Sequence, residues 1–420
     1  MKIAVVGGGS TYTPELVDGI ARLAGTTDVD QLVLCDPDTV RLEVVAGVSQ
    51  RIAARRGWPG KLSSTSDLGA AVDGADFVLL QLRIGGQAAR HQDETIPLRC
   101  GCVGQETTGA GGFAKALRTV PVVLDIAVEV QRRAPDAWII DFTNPVGIVT
   151  RALLDGGHRA LGLCNVAIGF QRLFASWLGV DATEVRLGHA GLNHLTWIRS
   201  VVVGGTDVLP VIIEEHGEQL ADRLGMPLRL LHTLGAIPSY YLRYFYRHDA
   251  VVSEQRDAER TRAQEVAEIE RELLEIYRDP TVDTKPELLA RRGGAFYSEV
   301  AVQLVSSLWA DTGDVQVVDV RNNGALAELP DDAVVEVPCV INRAGAIPAV
   351  TSGLDRATSG LAAGVASYER LAAEAAVTGD RDTAFLALLA HPLIGQIKPA
   401  EQLLDDLLHV NAAHLPRFRS

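Results

Sequence analysis

The amino terminus carries a glycine-rich turn, VVGGGSTYTPEL, between a short apolar run and an amphipathic segment. Gly7 and Gly9 stand where a first β-strand would end and a first helix would begin. Glycine at these positions lets the backbone turn tightly and approach a pyrophosphate at the amino end of a helix. Tyr12 occupies the usual third glycine position, so the turn alone could also serve only to pack a strand against a helix.

An acidic residue follows the next predicted strand. The run LVLCDPD contains Asp36, whose carboxylate can accept hydrogen bonds from ribose hydroxyls and would repel a 2′-phosphate. The turn and this carboxylate together predict a site for NAD and not for NADP. The residues expected to contact the cofactor are Gly7, Gly9, Ser10, Thr11 and Asp36.

Strand-like and helical stretches alternate along the first part of the chain, a pattern typical of a doubly wound parallel sheet. The predicted strands are KIAVVG, QLVLCD, DFVLLQLR, WIIDFTNP and ALGLCNV, and the first predicted helix is PELVDGIARLAG. Further on, VRLGHAGLNHLTWIRSVVVGG predicts two paired strands, and DAERTRAQEVAEIERELLEIYR predicts a long charged helix. We therefore predict an α/β fold, with a Rossmann-like NAD-binding domain over residues 1–168 and an α+β lobe over residues 169–420.

Composition limits the class of protein. A formal net charge of −14 over 420 residues argues against non-specific binding to nucleic acid or to an anionic membrane surface. No apolar run approaches the ~20 residues that span a bilayer. Five cysteines, an odd and sparse set, indicate reduced thiols and a cytoplasmic protein. The alanine- and leucine-rich helices predicted late in the chain favour a homodimer or homotetramer.

Polar side chains stand at three further strand ends: Arg83 in QLRIGG, Asn144 in DFTNP, and the Cys164-Asn165 pair in LGLCNV. Ligands of open α/β sheets bind beyond the carboxyl ends of the strands, so we expect these groups to face the cofactor cleft. A thiolate from Cys164 and an imidazole from His194 could hold one divalent metal ion. The alternative is a buried cysteine and an unrelated core histidine, and for two residues this far apart in sequence it is the stronger interpretation.

The segment GAIPSYYLRYFYRH holds four of the eight tyrosines of the chain on one predicted helix: Tyr240, Tyr241, Tyr244 and Tyr246. Such a group usually packs in a core or an interface. A phenol could act as a base only if a nearby cation or metal lowered its pKa.

The motifs together resemble glycoside hydrolase family four, whose members are glycosidases that depend on NAD and a divalent metal. The motifs that carry the resemblance are GGGSTYTPEL, RIGGQAARHQDETIP, GQETTGAGG, DFTNPVGIVTRAL, GLCNVAIG, GLNHLTW, IPSYYLRYF, RRGGAFYSE and LPDDAVVEVPCVI. They cover nearly the whole chain in the family order. Asn165, directly after the cysteine, resembles the branch that hydrolyses 6-phospho-β-glucosides. A 6-phospho-α-glucosidase is the alternative within the family.

The resemblance also implies roles for individual residues. Cys164 and His194 would bind the metal, which the family implies to be Mn²⁺, although a thiolate and an imidazole alone would suggest zinc. Tyr241, in the PSYYL motif, would be the catalytic base, and Glu106 would lie near the metal or its water. Asn144 would act with Tyr241 and Glu106 in the catalytic site.

The implied substrate is a small phosphorylated sugar. Asn144 and Asn165 would contact its hydroxyls. Its 6-phosphate needs cations, and guanidinium groups bind phosphate through paired hydrogen bonds. The candidates for this contact are Arg83, Arg90, Arg291 and Arg292, and Asp93 and Glu94 could orient neighbouring arginines.

The implied reaction begins with hydride transfer from sugar C3 to NAD and removal of the C2 proton by Tyr241. Elimination at C1, addition of water and return of the hydride complete it. Two other functions remain open on the residues alone. One is a lactate- or malate-dehydrogenase-like oxidoreductase that uses His189, and the other is an NAD-binding regulatory protein without catalysis.

Overall fold

The structure is a computed structural model that describes residues 1–22, 28–294 and 296–418. Its strands are β1 (Lys2–Val6), β2 (Gln31–Cys35), β3 (Lys61–Thr65), β4 (Phe77–Leu80), β5 (Trp138–Asp141), β6 (Ala160–Gly162), β7 (Arg186–Leu192), β8 (Leu195–Val203), β9 (Thr206–Asp207), β10 (Ile237–Pro238), β11 (Val315–Arg321), β12 (Val334–Asn342) and β13 (Gly345–Pro348).

The helices of the amino-terminal half lie mainly between the strands of one sheet, and those of the carboxyl-terminal half form most of the second lobe. They are α1 (Thr13–Arg22), α2 (Thr39–Arg55), α3 (Leu68–Val72), α4 (Gly86–Arg99), α5 (Gly109–Arg133), α6 (Val146–Asp155), α7 (Val166–Leu178), α8 (Leu209–Leu224), α9 (Leu228–Leu234), α10 (Arg243–Tyr246), α11 (His248–Asp257), α12 (Arg262–Arg278), α13 (Leu288–Arg292), α14 (Tyr297–Ala310), α15 (Ser359–Thr378), α16 (Arg381–Ala390) and α17 (Ile397–Asn411). None of the helices that the structure describes is long and apolar enough to cross a membrane.

The principal sheet has nine strands in the order β13-β12-β11-β6-β5-β4-β1-β2-β3. Its six amino-terminal strands are parallel, and their order is that of a Rossmann fold. All four residues of β4 are buried, because parallel strands covered by helices on both faces read as continuous apolar runs. The α/β class and the doubly wound sheet predicted from the sequence are confirmed.

Three antiparallel strands from the carboxyl-terminal half extend this sheet. β11 joins β6 through the pair Asp319 and Gly162, β12 pairs with β11, and β13 forms the edge. The predicted division of the chain at residue 168 stays a prediction, and the sheet itself takes strands from both sides of it.

A second, antiparallel sheet in the order β10-β8-β7, with β9 beside β8, belongs to the carboxyl-terminal half. β7 and β8 form the paired strands expected from the sequence, and a two-residue turn of Asn193 and His194 joins them between the paired Leu192 and Leu195. His194 has φ +63°, in the left-handed region that a residue with a side chain seldom adopts.

Several predicted elements have different bounds in the structure. The strand predicted as ALGLCNV ends at Gly162, so the chain leaves the sheet before Cys164. The long charged helix begins at Arg262 and not at Asp257, because Thr261 caps it and accepts a hydrogen bond from the Gln264 amide. The four tyrosines lie on a 3-10 turn that continues into α10. The last three residues of the predicted first helix, 23–25, lie outside the described residues.

Candidate active site

A cavity of about 560 Å³ opens at the carboxyl ends of β1, β4 and β5, where the strand order of the sheet reverses. Open α/β sheets bind their ligands at this switch point. The predicted site residues that line the cavity are Gly7, Gly9, Ser10, Asp36, Arg83, Arg90, Glu106, Asn144, Asn165, Tyr241 and Arg292. The structure therefore brings most of the predicted site to one place.

The glycine-rich turn forms one wall of the cavity. Gly7 has φ +88°, and a Cβ there would stand 2.6 Å from the carbonyl oxygen of Gln81. The Gly9 amide donates to Asp36 Oδ2 at 3.0 Å, and a Cβ on Gly9 would stand 2.9 Å from the same oxygen. A side chain at Gly7 would therefore collide with the backbone of Gln81, whereas one at Gly9 would have to displace the Asp36 carboxylate.

Ser10 and Thr11 differ in position. Ser10 lines the cavity, whereas Thr11 is fully buried behind it, and its carbonyl oxygen accepts a hydrogen bond from the Tyr277 hydroxyl at 2.8 Å. The Thr11 side chain therefore lies within the protein and not in the cavity, and the predicted contact of this residue with the cofactor stays a prediction.

Glu106 lies among three cations on another wall of the cavity. Arg83 forms an ion pair with its carboxylate, Lys115 Nζ lies 2.6 Å from Oε2, and Arg90 Nη1 lies 3.2 Å from Oε1. Burial alone would raise the pKa of Glu106, but the three cations hold it well below its usual range. The cluster carries more positive than negative charge and suits an anionic ligand.

Lys115 was not among the predicted site residues. It lines the cavity on α5, and burial together with Arg83 lowers its pKa to about 7, although Glu106 opposes this change. The sequence did offer a signal, because Lys115 interrupts the apolar run GGFAKAL. Lysine in such surroundings is seldom buried without a partner.

The acidic residues of RHQDETIP orient arginines, as the sequence suggested. Glu94 Oε1 accepts a hydrogen bond from Arg90 Nε at 2.7 Å. Asp93 binds the buried Arg118 through two hydrogen bonds of 2.9 and 2.7 Å. The Asp93–Arg118 pair joins α4 to α5, the two helices that carry Arg90 and Lys115.

The two arginines of RRGGAFYSE separate in the structure. Arg292 lines the cavity, where Glu270 holds it at 3.0 Å and Ser10 Oγ lies 3.5 Å from it. Arg291 is exposed and lies outside the cavity lining. Its position does not support the predicted substrate contact, since neighbouring residues of a helix face different directions.

Cys164 lies two residues before the start of α7 and is buried just behind the cavity. Its sulfur accepts hydrogen bonds from the Val166 backbone amide and the Asn193 side chain, and these favour a thiolate. Burial outweighs them and raises the pKa of the thiol well above its ordinary value, and Glu336 adds to the rise. The thiol would therefore ionise at neutral pH only beside a cation.

His194 lies against the tyrosine segment. Its Nδ1 is 3.0 Å from Thr107 Oγ1, which leaves Nε2 as the nitrogen that would bind a cation. Burial lowers the pKa of His194 to about 3, so the imidazole is neutral near neutral pH and keeps a lone pair.

The Cys164 sulfur and the His194 nitrogen are the two protein groups that could bind a divalent metal here. In the described ranges, no group of three or more His, Cys, Asp or Glu side chains is placed to hold a metal ion. Cys164 and His194 are nevertheless brought near each other, since Asn193, the neighbour of His194, contacts the Cys164 sulfur. A thiol and a neutral imidazole fit a metal that completes its coordination with substrate and water oxygens. Their role as metal ligands stays a prediction.

Tyr241 and Asn144 face the cavity beside these groups. Burial raises the pKa of the Tyr241 phenol well above its ordinary value, and the nearby charge of Cys164 contributes to this rise. Asn144 Oδ1 is buried without a hydrogen-bond partner among the described protein groups, so an amide oxygen is free to receive a ligand hydroxyl.

His189, in contrast, is fully buried and binds Glu336 Oε1 at 2.7 Å outside the cavity lining.

The chain resembles known proteins in its family pattern, in its sequence and in its structure. The model described as "Family 4 glycosyl hydrolase" matches residues 2–180, and the model of its C-terminal domain matches residues 189–394. A Bacillus subtilis protein named "Probable 6-phospho-beta-glucosidase" is 40% identical, and the match covers 100% of this chain and 98% of the relative. Malate dehydrogenase of Cryptosporidium parvum superposes on this chain with a TM-score of 0.56 at 16% identity, and the match covers 90% of this chain and 98% of that one. This likeness supports the dehydrogenase-like alternative at the level of fold alone.

A solved structure gives the same result. The 6-phospho-β-glucosidase of Thermotoga maritima, in a crystal with manganese, NAD⁺ and glucose 6-phosphate, superposes with a TM-score of 0.92 at 35% identity. The match covers 99% of each chain. From both family models and the full-length likeness, the chain belongs to family 4 of the glycosyl hydrolases.

Proposed function

We propose that this protein hydrolyses 6-phospho-β-glucosides with NAD⁺ and a divalent metal, Mn²⁺. The observation that carries the proposal is one cavity that a dinucleotide-type turn and a cluster of cations line, with a thiol and an imidazole, Cys164 and His194, buried just behind it. The likeness to relatives named as 6-phospho-β-glucosidases over their whole length supports the same substrate class.

The turn at Gly7 and Gly9 would receive the pyrophosphate, and Asp36 would accept hydrogen bonds from the adenosine ribose. Ser10 lines the same wall of the cavity. Asp36 already accepts one hydrogen bond from Gly9 and one from the Asp38 amide. A 2′-phosphate would therefore meet a fixed negative charge, which favours NAD⁺ over NADP⁺.

The cations around Glu106 would bind the 6-phosphate of the sugar. Arg83, Arg90 and Lys115 surround Glu106, and Arg90 also pairs with Glu94, so three basic side chains face two carboxylates beneath the cavity. Arg292, which is held by Glu270, is a further cation at the cavity wall. In a chain with a net charge of −14, this is a local basic surface suited to an anionic ligand.

When bound, the nicotinamide would accept and return a hydride at C3, and the metal held by Cys164 and His194 would polarise the sugar oxygens at C2 and C3. Asn144 and Asn165 would orient the hydroxyls of the sugar. Tyr241 would take the proton from C2, for which the phenol must be ionised. Its pKa without a cation is too high for that role, so proton removal depends on charge supplied beside His194.

The proposal is tested by hydrolysing a 6-phospho-β-glucoside in heavy water with NAD⁺, Mn²⁺ and a reductant. We expect deuterium at C2 of the glucose 6-phosphate product and no net NADH. A dehydrogenase would accumulate NADH, and hydrolysis without deuterium at C2 would contradict proton removal at that carbon. The matching 6-phospho-α-glucoside, assayed in parallel, decides the anomeric preference.

We also propose that the protein assembles as a homodimer or homotetramer. Ile347 on the edge strand β13 and Val350 just after it are 56% and 106% exposed, and together they present apolar surface at the free edge of the sheet. Analytical ultracentrifugation of the wild type and of Val350→Lys checks this proposal. A wild-type monomer at micromolar concentration would contradict it.

A further inference from the structure

Behind the cavity, a buried polar pair connects Cys164 to the principal sheet. Asn193 Nδ2 donates to Glu336 Oε2 at 2.9 Å, and the same side chain donates to the Cys164 sulfur. Asn193 is 9% exposed and Glu336 is 1% exposed, so both contacts lie away from solvent. Neither residue lines the cavity or is needed there for the chemistry proposed above.

We propose that Glu336 and Asn193 are positioning residues that fix the Cys164 sulfur for metal binding, an inference that rests on the proposed function. Glu336 fixes the orientation of the Asn193 amide, and the amide in turn donates to the sulfur. Partners of this kind orient metal ligands and set the affinity of the site for its metal.

The carboxylate determines which end of the Asn193 amide faces the sulfur. A carboxylate can only accept, so the amide must direct its NH₂ group and not its oxygen toward Glu336. One N–H then points at Oε2, and the second N–H is free to point at the sulfur. An amide turned the other way would place an oxygen against the sulfur and repel a thiolate.

Glu336 is itself held from its other side. His189 Nε2 lies 2.7 Å from Oε1, so each carboxylate oxygen accepts one hydrogen bond. A glutamine at this position has one acceptor oxygen, so it could keep the bond from Asn193 only by turning its NH₂ group toward His189, whose Nε2 would then have to accept. The carboxylate accepts from both donors without a change of the His189 tautomer, so Glu336→Gln should weaken the arrangement and not abolish it.

The hairpin turn between β7 and β8 links the hydrogen bonds of Glu336 and Asn193 to both predicted metal ligands, Cys164 and His194. Asn193 and His194 are the two turn residues between β7 and β8, and His194 has φ +63°. The turn directs Asn193 toward Glu336 and Cys164, and directs His194 toward Thr107 and Tyr241. One two-residue turn thus supplies an imidazole and the amide that holds the thiol.

The test uses Co²⁺ in place of Mn²⁺, because a thiolate bound to Co²⁺ gives a sulfur-to-metal charge-transfer band in the near ultraviolet. The full-length wild type is compared with Asn193→Ala and Glu336→Gln. We expect Asn193→Ala to bind Co²⁺ roughly 10- to 100-fold more weakly and to move the band to longer wavelength, because the sulfur loses a hydrogen bond. Glu336→Gln should change both quantities in the same direction by a smaller amount.

Asn411→Ala is the matched control, because Asn411 is also a buried amide but binds Arg118, away from Cys164. It should lower the melting temperature and leave the Co²⁺ affinity and the band unchanged. Circular dichroism confirms that each variant is folded, and Glu336→Gln keeps the test decisive if Asn193→Ala does not fold. A wild type without a thiolate–cobalt band would contradict the proposed metal site. Variants with the wild-type band and affinity would overturn only the positioning role.

Discussion

The imidazole of His194 lies parallel to the phenol ring of Tyr241, with ring centroids 3.6 Å apart and planes 6° from parallel. The proposed metal ligand and the proposed base are therefore in direct contact, and each limits the rotation of the other. Stacking of this kind contributes about 0.5–1.5 kcal/mol beyond the burial of the rings. The two residues are 47 positions apart in the sequence, so the contact is a product of the fold alone.

Substitutions of Tyr241 separate the ring from its hydroxyl. Tyr241→Phe keeps the stack on His194 and removes the proton acceptor, so we expect kcat to fall at least about 100-fold while metal affinity is retained. Tyr241→Ala should lower kcat similarly and also weaken metal binding, because His194 loses its packing partner. Isothermal titration with Mn²⁺ alongside steady-state kinetics checks both parts. Equal metal affinities in the two variants would contradict the role of the stack.

Removal of the thiol should abolish turnover without affecting the nucleotide site. We expect Cys164→Ser to lose more than roughly 100-fold in metal affinity, because a serine hydroxyl does not ionise as a thiol does beside a cation. NAD⁺ affinity should stay within about twofold, since the glycine turn is a separate unit. Cys100→Ser is the control, because Cys100 is half-buried and lies outside the cavity lining. Wild-type hydrolysis by Cys164→Ser would exclude the proposed metal role.

The packing of Gly9 against Asp36 gives a test of the nucleotide site. A methyl group at Gly9 would stand 2.9 Å from Asp36 Oδ2, so Gly9→Ala should displace the carboxylate and weaken NAD⁺ binding roughly 10-fold or more. Gly360→Ala serves as the control, because a Cβ there meets nothing within 4 Å. Gly360 lies in the first turn of α15, so this second change should leave the stability of the protein unchanged or raise it slightly. Fluorescence titration with NAD⁺ measures the first effect and thermal unfolding the second.

Lys115 should make the stability of the protein depend on pH. Burial lowers its pKa from the ordinary 10.5 to about 7 in the folded protein. Between these two values the unfolded chain binds more protons than the folded one, so the free energy of unfolding should rise with pH by up to about 1.4 kcal/mol per unit. Below about pH 7 both states are protonated and this contribution stops changing.

The variant Lys115→Met lacks the titrating group, and its free energy of unfolding should show a smaller rise over the same range. Urea denaturation of wild type and variant at several pH values between 7 and 10 measures the difference. Identical slopes would show that Lys115 keeps an ordinary pKa in the folded protein.

Local chemistry explains which predictions from the sequence hold. The turn at Gly7 and Gly9 depends on backbone geometry that neighbouring residues determine. The first strand, the turn and the first helix can therefore be predicted from the local sequence alone. The predicted positions of Asp36, Asn144 and Asn165 at strand ends follow from the parallel sheet, whose carboxyl ends meet at one edge.

Long-range contacts explain what the sequence could not show. Nothing local distinguishes Arg292, which Glu270 holds in the cavity, from the exposed Arg291 beside it. Glu336 reaches Asn193 only because β12 packs beside β7, although the two residues are 143 positions apart. Pairing of β11 with β6 likewise depends on the tertiary fold, since neither segment carries a local signal that identifies the other.

The attachment of β11 to β6 affects how chimeras of this protein with its relatives should be built. A fusion at residue 168 would combine β6 of one parent with the β11–β13 ribbon of another, and the mismatch would fall at Gly162, two residues before Cys164. Grafts that exchange the ribbon together with β6 and the Cys164 loop would keep that junction native. Exchange of the carboxyl-terminal half alone is thus unsuitable for altering sugar preference, and β6 should be exchanged together with it.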